Sequence, residues 1–115
     1  MNEGDHESLT QLLADDAVFI ADAGPNGSRY GRIRSVGRPV RGRKRIAALL
    51  SMLARQTTTL GGQVQERNLN GQPALVVFRD GHAVVAVLVA VAEGRIQHVF
   101  VQLDPERLRH IEAGH

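Results

Sequence analysis

Apolar and polar residues alternate along this chain with two different periods. Leu9, Leu12 and Leu13 recur at helical spacing behind Asp5, which predicts a short amphipathic helix over 5–14 with Asp5 as its cap. Residues 17–21 form a compact apolar run ending in Asp22. The turn formers Ala23-Gly24-Pro25-Asn26-Gly27-Ser28 follow directly, so a strand leads into a loop here. A second, highly charged strand is expected over 30–36, after which Arg38-Pro39-Val40-Arg41-Gly42 interrupts regular structure. Ile46, Leu49, Leu50 and Leu53 then mark one face of a helix over 43–55. From Leu60 onward the period shortens to two. Segments 63–69, 75–79, 83–92 and 95–103 are separated by Asn70-Gly71, Asp80-Gly81 and Glu93-Gly94. Asn-Gly and Asp-Gly favour tight hairpins because both central residues tolerate positive φ, so an antiparallel meander is predicted. Asp104-Pro105-Glu106 supplies a cap, a proline at the first helical position and an acid in the first turn. Leu108 and Ile111 then share a face of a short terminal helix.

Helices toward one end of the chain and consecutive hairpin strands at the other describe an α+β fold, with a curved sheet wrapped over a helix. At 115 residues a single domain over 1–115 is expected, and no internal repeat or interdomain linker is present. The chain is 43% hydrophobic and 23% charged, the mix of an ordinary soluble globule, which excludes wholesale disorder. The absence of cysteine excludes a disulfide scaffold, a thiolate metal site and a cysteine nucleophile together. The longest charge-free apolar run, 83–92, is about half the length that a membrane span needs. Its opening residues are acidic where a secretory leader would be basic, so a cytoplasmic location without a membrane partner is expected.

Charge changes the picture. The formal net charge is only +2, yet Arg29, Arg32, Arg34, Arg38, Arg41, Arg43, Lys44 and Arg45 place eight of the fourteen basic residues in a stretch without acids. Six of the twelve acids, Glu3, Asp5, Glu7, Asp15, Asp16 and Asp22, precede the first arginine. The two blocks either neutralise each other across the fold or present an anion-facing surface. Arg43, Lys44 and Arg45 fall in the first turn of the central helix, where the positive end of the helix dipole disfavours each exposed cation by roughly 0.3–1 kcal/mol. Together with Arg38 and Arg41 they are the candidate contact for an anion or an acidic protein, unless Asp15 and Asp16 fold back to pair with them. Only Tyr30 is interleaved with the arginines, which argues against a single-strand nucleic-acid platform of stacked aromatics.

Two residues stand out for chemistry. Asp22 is in phase with Val18 and Ile20, and a carboxylate sharing an apolar face has its charged form disfavoured, the setting of a general base. Such an aspartate equally holds its own loop by side-chain to backbone bonds. In the last strand Ile96, His98, Phe100 and Gln102 share a face, so His98 could exchange a proton with Asp22 or simply be packed there. No serine lies in a nucleophile-elbow setting, and the five histidines show no metal-ligand spacing, so neither a metal nor a cofactor is expected.

Several pieces in order resemble a SnoaL-like domain of the nuclear transport factor 2-like superfamily. They are Gly4-Asp5 before a leucine helix, Leu13-Ala14-Asp15-Asp16-Ala17-Val18, Asp22 before a glycine-containing loop, Arg38-Pro39-Val40-Arg41-Gly42, Asn70-Gly71-Gln72-Pro73 and Asp104-Pro105-Glu106-Arg107-Leu108. Of that superfamily, they are most similar to the copy at the C-terminus of one group of extracytoplasmic-function sigma factors. The resemblance spans about residues 4–110. It implies a cone, a strongly bent antiparallel sheet closing on helices around a pocket, in the manner of a cystatin-like roll. Members of the family usually carry a longer first helix before the Gly-Asp pair. Only three residues precede Gly4 here, so one wall of the cone is expected to be thin or supplied by another chain. Two functional classes follow from the resemblance. One is a ligand-binding or regulatory module, dimeric through the open face of its sheet, contacting a sigma factor or another acidic protein and accepting a small hydrophobic ligand. The other is a cofactor-independent enzyme like polyketide cyclases or ketosteroid isomerases, with Asp22 as base and His98 or Tyr30 as hydrogen-bonding partner. The sigma helices themselves are absent, so direct sequence-specific nucleic-acid binding is not expected.

Overall fold

A computed structural model describes residues 3–22, 24, 29–30, 33–34, 39–69 and 71–111. Helix α1 (Glu3–Leu12) begins two residues before Asp5, so Asp5 lies within its first turn rather than at its cap. It ends at Leu12, and strand β1 (Leu13–Asp22) starts without an intervening loop, longer than the apolar run alone indicated. The buried Leu13 and Ala14 anchor this junction. In place of the single charged strand that was expected stand β2 (Arg29–Tyr30) and β3 (Ile33–Arg34), which among the described residues pair with each other and not with the main sheet. Strand β4 (Val40–Arg41) falls where a break was expected. It adds to the sheet as a two-residue edge because Val18 faces Arg41 and Phe19 faces Val40 across antiparallel β1.

Helix α2 (Arg43–Thr59) runs four residues beyond the expected end. In the added turn the Thr57 hydroxyl donates to the Leu53 carbonyl at 2.9 Å, and the Leu60 N–H closes on the Gln56 carbonyl. Strands β5 (Gln63–Leu69), β6 (Gln72–Arg79), β7 (His82–Ala92) and β8 (Arg95–Gln102) form the expected sequential meander. Asp80 and Glu93 have φ near +53° and +55°, each followed by glycine, the geometry of two-residue hairpins that match the strand twist. The terminal helix α3 (Pro105–Leu108) is a single turn, capped by the Asp104 carboxylate, which accepts from the Glu106 N–H at 3.1 Å.

The main sheet has the order β4-β1-β8-β7-β6-β5. All neighbours are antiparallel except β1 and β8, which run parallel because the chain crosses from one to the other through α2 and the meander. The class is α+β, and the sheet is curved and does not close. Register shifts interrupt the β1/β8, β6/β7 and β7/β8 pairings, and each extra residue bends and twists its strand.

Alternation along the strands divides the apolar residues between two faces. Ala17, Phe19, Val85, Val99 and Val101 pack with Leu13 against Ile46, Ala47 and Leu53 of α2, the main core. Each of the valine, leucine, isoleucine and phenylalanine side chains among them, fully buried, contributes about 1.5–3 kcal/mol. On the other face Val76, Phe78 and Ala86 pack against Leu108 of α3. No helix among the described residues is long and apolar enough to cross a membrane.

Candidate functional site: a cleft beneath the terminal helix

Strands β1 and β8 end side by side, and their ends are tied to α3 by a compact set of polar contacts. Asp22 is opposite Gln102 across the parallel pair, and Leu103 N–H donates to the Asp22 carbonyl at 2.7 Å. The Asp22 carboxylate takes the Gly24 N–H on Oδ1 at 2.8 Å, so it holds its own loop in an Asx-type turn. Gln102 is nine-tenths buried, and its Oε1 accepts the Asp104 N–H at 3.0 Å. Asp104, also buried, caps α3 with Oδ1 while Oδ2 lies 3.8 Å from Nε of Arg107. Gly24 fits against Asp104 so closely that a Cβ would lie 2.5 Å from the Asp104 Cγ, and its φ is +76°. Two aspartates on separate elements therefore meet at one glycine.

Beside this knot the sheet and α3 enclose an open cleft of about 750 Å³. Its floor is Ala86, Leu88 and Phe100, with Asp22 and Gln102 at one end. Leu69 and Asn68 form a side, and Arg107, His110 and Ile111 lie on the α3 side. The volume is in the range of small-molecule sites, and the lining is divided evenly between five polar or charged residues and five apolar ones. A second, smaller hollow of about 420 Å³ lies over β5–β7, between Glu66, Leu75, Val87 and Val89.

With this architecture in view, comparison with solved structures is informative. The chain superposes on the Mycobacterium tuberculosis extracytoplasmic function sigma factor SigJ with a TM-score of 0.63 over 90% of its length and 38% of that chain, at 20% identity. It superposes on a nuclear transport factor 2-like protein of unknown function from Mesorhizobium loti with a TM-score of 0.54 (87% of this chain, 78% of that one, 20% identity). A third match, from Burkholderia xenovorans LB400, is described in the same terms and gives 0.52 (88% and 71%, 16% identity). This chain has the nuclear transport factor 2-like fold. No protein-family model and no curated relative matches its sequence.

Within this nuclear transport factor 2-like sheet the residues singled out for chemistry are dispersed. His98 pairs with Val18, four positions before Asp22 on the neighbouring strand, which places the two roughly 13 Å apart along the strands. His98 is exposed and outside the cleft lining. The predicted face of the last strand is correct for His98, Phe100 and Gln102. Ile96, however, packs into the α2 core, because the register shift between Ala90 and Val91 inserts a residue before His98. Tyr30 lies in β2, opposite Ile33. Arg38 falls outside the described residues.

The basic cluster is divided as well. Arg43 is drawn to Asp15, with Nη1 to Oδ1 at 3.1 Å, so one acid of the opening block does fold back on it. Lys44 and Arg45 are exposed, and Arg41 is exposed on the edge strand. The α2 N-terminus carries no acid in its first turn, and Gly42 offers no side-chain cap. No group of three or more histidine, aspartate or glutamate side chains among the described residues could hold a metal. Sequence reasoning missed Asp104, Arg107 and His110 as neighbours of Asp22. Their only sequence signal was the helix-start pattern at Asp104-Pro105, which says nothing of what the helix packs upon.

Proposed function

We propose that the chain is a cytoplasmic small-ligand-binding regulatory module, with the cleft beneath α3 as its binding site and the basic edge around α2 as its contact for an acidic protein. The observation that carries the reading is the cleft itself: an apolar floor of Leu88, Phe100 and Ala86 ending in the polar pair Asp22 and Gln102. The likeness to SigJ supports a regulatory setting, since the matched 38% of that chain is part of a sigma factor. Arg41, Lys44 and Arg45 project charge that no described acid neutralises, and Arg43 shares the same turn. The proton-transfer reading paired Asp22 with His98, and His98 stands four positions along the strand and outside the cleft lining. Binding therefore accounts for Asp22 better than proton transfer does. The nearest second copy would meet this one through the open sheet face at Val64 and Leu75, both about half exposed.

The test is a fragment screen read by amide NMR on the whole chain. Binders are expected to shift Leu88, Phe100, Gln102 and Ile111 together and to raise the melting temperature. A screen in which no compound moves these four amides would eliminate the reading.

A further inference from the structure

The end of the cleft holds an unmatched pair of hydrogen-bonding groups whose polarity specifies what can sit there. The Gln102 side chain is nine-tenths buried, yet only its carbonyl is used. The Asp104 backbone N–H can only donate, so Oε1 must face it and the amide NH2 must be turned the other way. That NH2 has no partner among the described residues, and Gln102 lines the cleft. Directly opposite, on the neighbouring parallel strand about 4.8 Å away, Asp22 uses Oδ1 for the Gly24 N–H and leaves Oδ2 without a partner among the described residues. A donor and an anionic acceptor thus stand side by side at the edge of an apolar floor containing Phe100 and Leu88.

From this geometry we infer that the cleft recognises a planar lactam or comparable cis-amide, with its N–H donated to Asp22 and its carbonyl accepting from Gln102. The inference rests on the ligand-binding reading and narrows it to a chemical class. A carboxylate brings acceptors only; Gln102 and Arg107 could serve it, but it offers no donor to the free oxygen of Asp22. An amidinium brings donors only and would face the Gln102 NH2. A hydrocarbon would leave both groups buried against it without partners, and such desolvation costs about 1–3 kcal/mol per group. A group that both donates and accepts satisfies both, and a cis-amide does so from two adjacent atoms, which suits two protein groups on neighbouring strands better than a single hydroxyl oxygen. A bicyclic ring carrying that edge would lie flat on Phe100 and Leu88, beneath Ile111.

Three ring compounds test this on the unmodified protein by amide NMR titration: 2-quinolinone, its N-methyl derivative and naphthalene. The expected result is that 2-quinolinone shifts Phe100 and Gln102, and that N-methylation weakens binding by about 10- to 100-fold, the loss of one hydrogen bond to a charged group. Naphthalene should bind more weakly still. Equal binding of all three would overturn the lactam inference while leaving a ligand-binding cleft intact. No cleft shift with any of them would overturn the inference and count against the ligand-binding reading as well. Gln102→Glu provides a second arm. It keeps an oxygen for the Asp104 N–H but replaces the donor by an acceptor, so 2-quinolinone binding should fall at least 10-fold in a protein whose remaining amide spectrum is unchanged. Undiminished binding there would refute the role of Gln102.

Discussion

Replacing Gly24 with alanine tests how tightly the loop after β1 is bound to the terminal helix. The residue has φ of +76°, where an L side chain costs roughly 1–2 kcal/mol. A Cβ there would lie 2.5 Å from Asp104 Cγ and 2.7 and 2.8 Å from its two oxygens, well inside contact distance. Asp104 is buried and caps α3, so it can move aside only by giving up the bond to Glu106 N–H, a loss of about 1 kcal/mol. Together these give about 2–3 kcal/mol of destabilisation. Gly71→Ala is the internal control: its φ is +81°, but a Cβ there meets nothing within 4 Å, so only the backbone cost of about 1–2 kcal/mol applies. Urea unfolding at constant m should show Gly24→Ala with the lower midpoint by about 1 M, taking m as ~1–1.5 kcal/mol/M for a chain of this size. Adding Asp104→Ala should remove that excess, because the obstructing carboxylate is gone. Equal midpoints for the two glycine variants, or an excess that persists without the Asp104 carboxylate, would refute the contact.

Three further outcomes follow from local features. Ser51 is buried in α2 and its Oγ has no partner among the described residues, so Ser51→Ala should leave stability unchanged or raise it by up to about 1 kcal/mol; a clear loss in thermal unfolding would mean the hydroxyl has a partner after all. Lys44→Glu puts an acid into the first turn of an uncapped helix. It should raise stability by about 0.3–1 kcal/mol at low salt, fading as salt is added, and a salt-independent change would contradict the dipole argument. Leu75→Asp, at a position 46% exposed, should cost little in monomer stability but shift sedimentation toward a single 12.5 kDa chain; if the unaltered protein already sediments at that mass, the proposed pairing of copies fails.

Much of the fold was legible because its signals are local. The period-two segments from Gln63 to Gln102 and the glycine-containing turns between them specify successive hairpins, and the observed meander follows them within a few residues. Asp104-Pro105 marked the start of α3 because a cap and a proline act on the backbone immediately beside them. Errors arose where a distant partner decided the outcome. Val40 and Arg41 become a strand only because β1 lies alongside, and Ile96 changes face only because β7 and β8 slip by a residue. The candidate base was found through its phase with Val18 and Ile20, but its separation from His98 depended on the β1/β8 register, which no local pattern encodes.

The sequence alone determined the hairpin order, the amphipathic face of α2, the divided charge and the position of Asp22 at a strand end, since each depends on neighbours within a few residues. Tertiary structure decided the parallel pairing of β1 with β8. It thereby set Gln102 beside Asp22 and brought Asp104 against Gly24, residues eighty positions apart in the chain. Contacts at that separation depend on how the whole sheet bends and which strands it brings together. For that reason the donor and acceptor at the end of the cleft become visible only in the folded molecule.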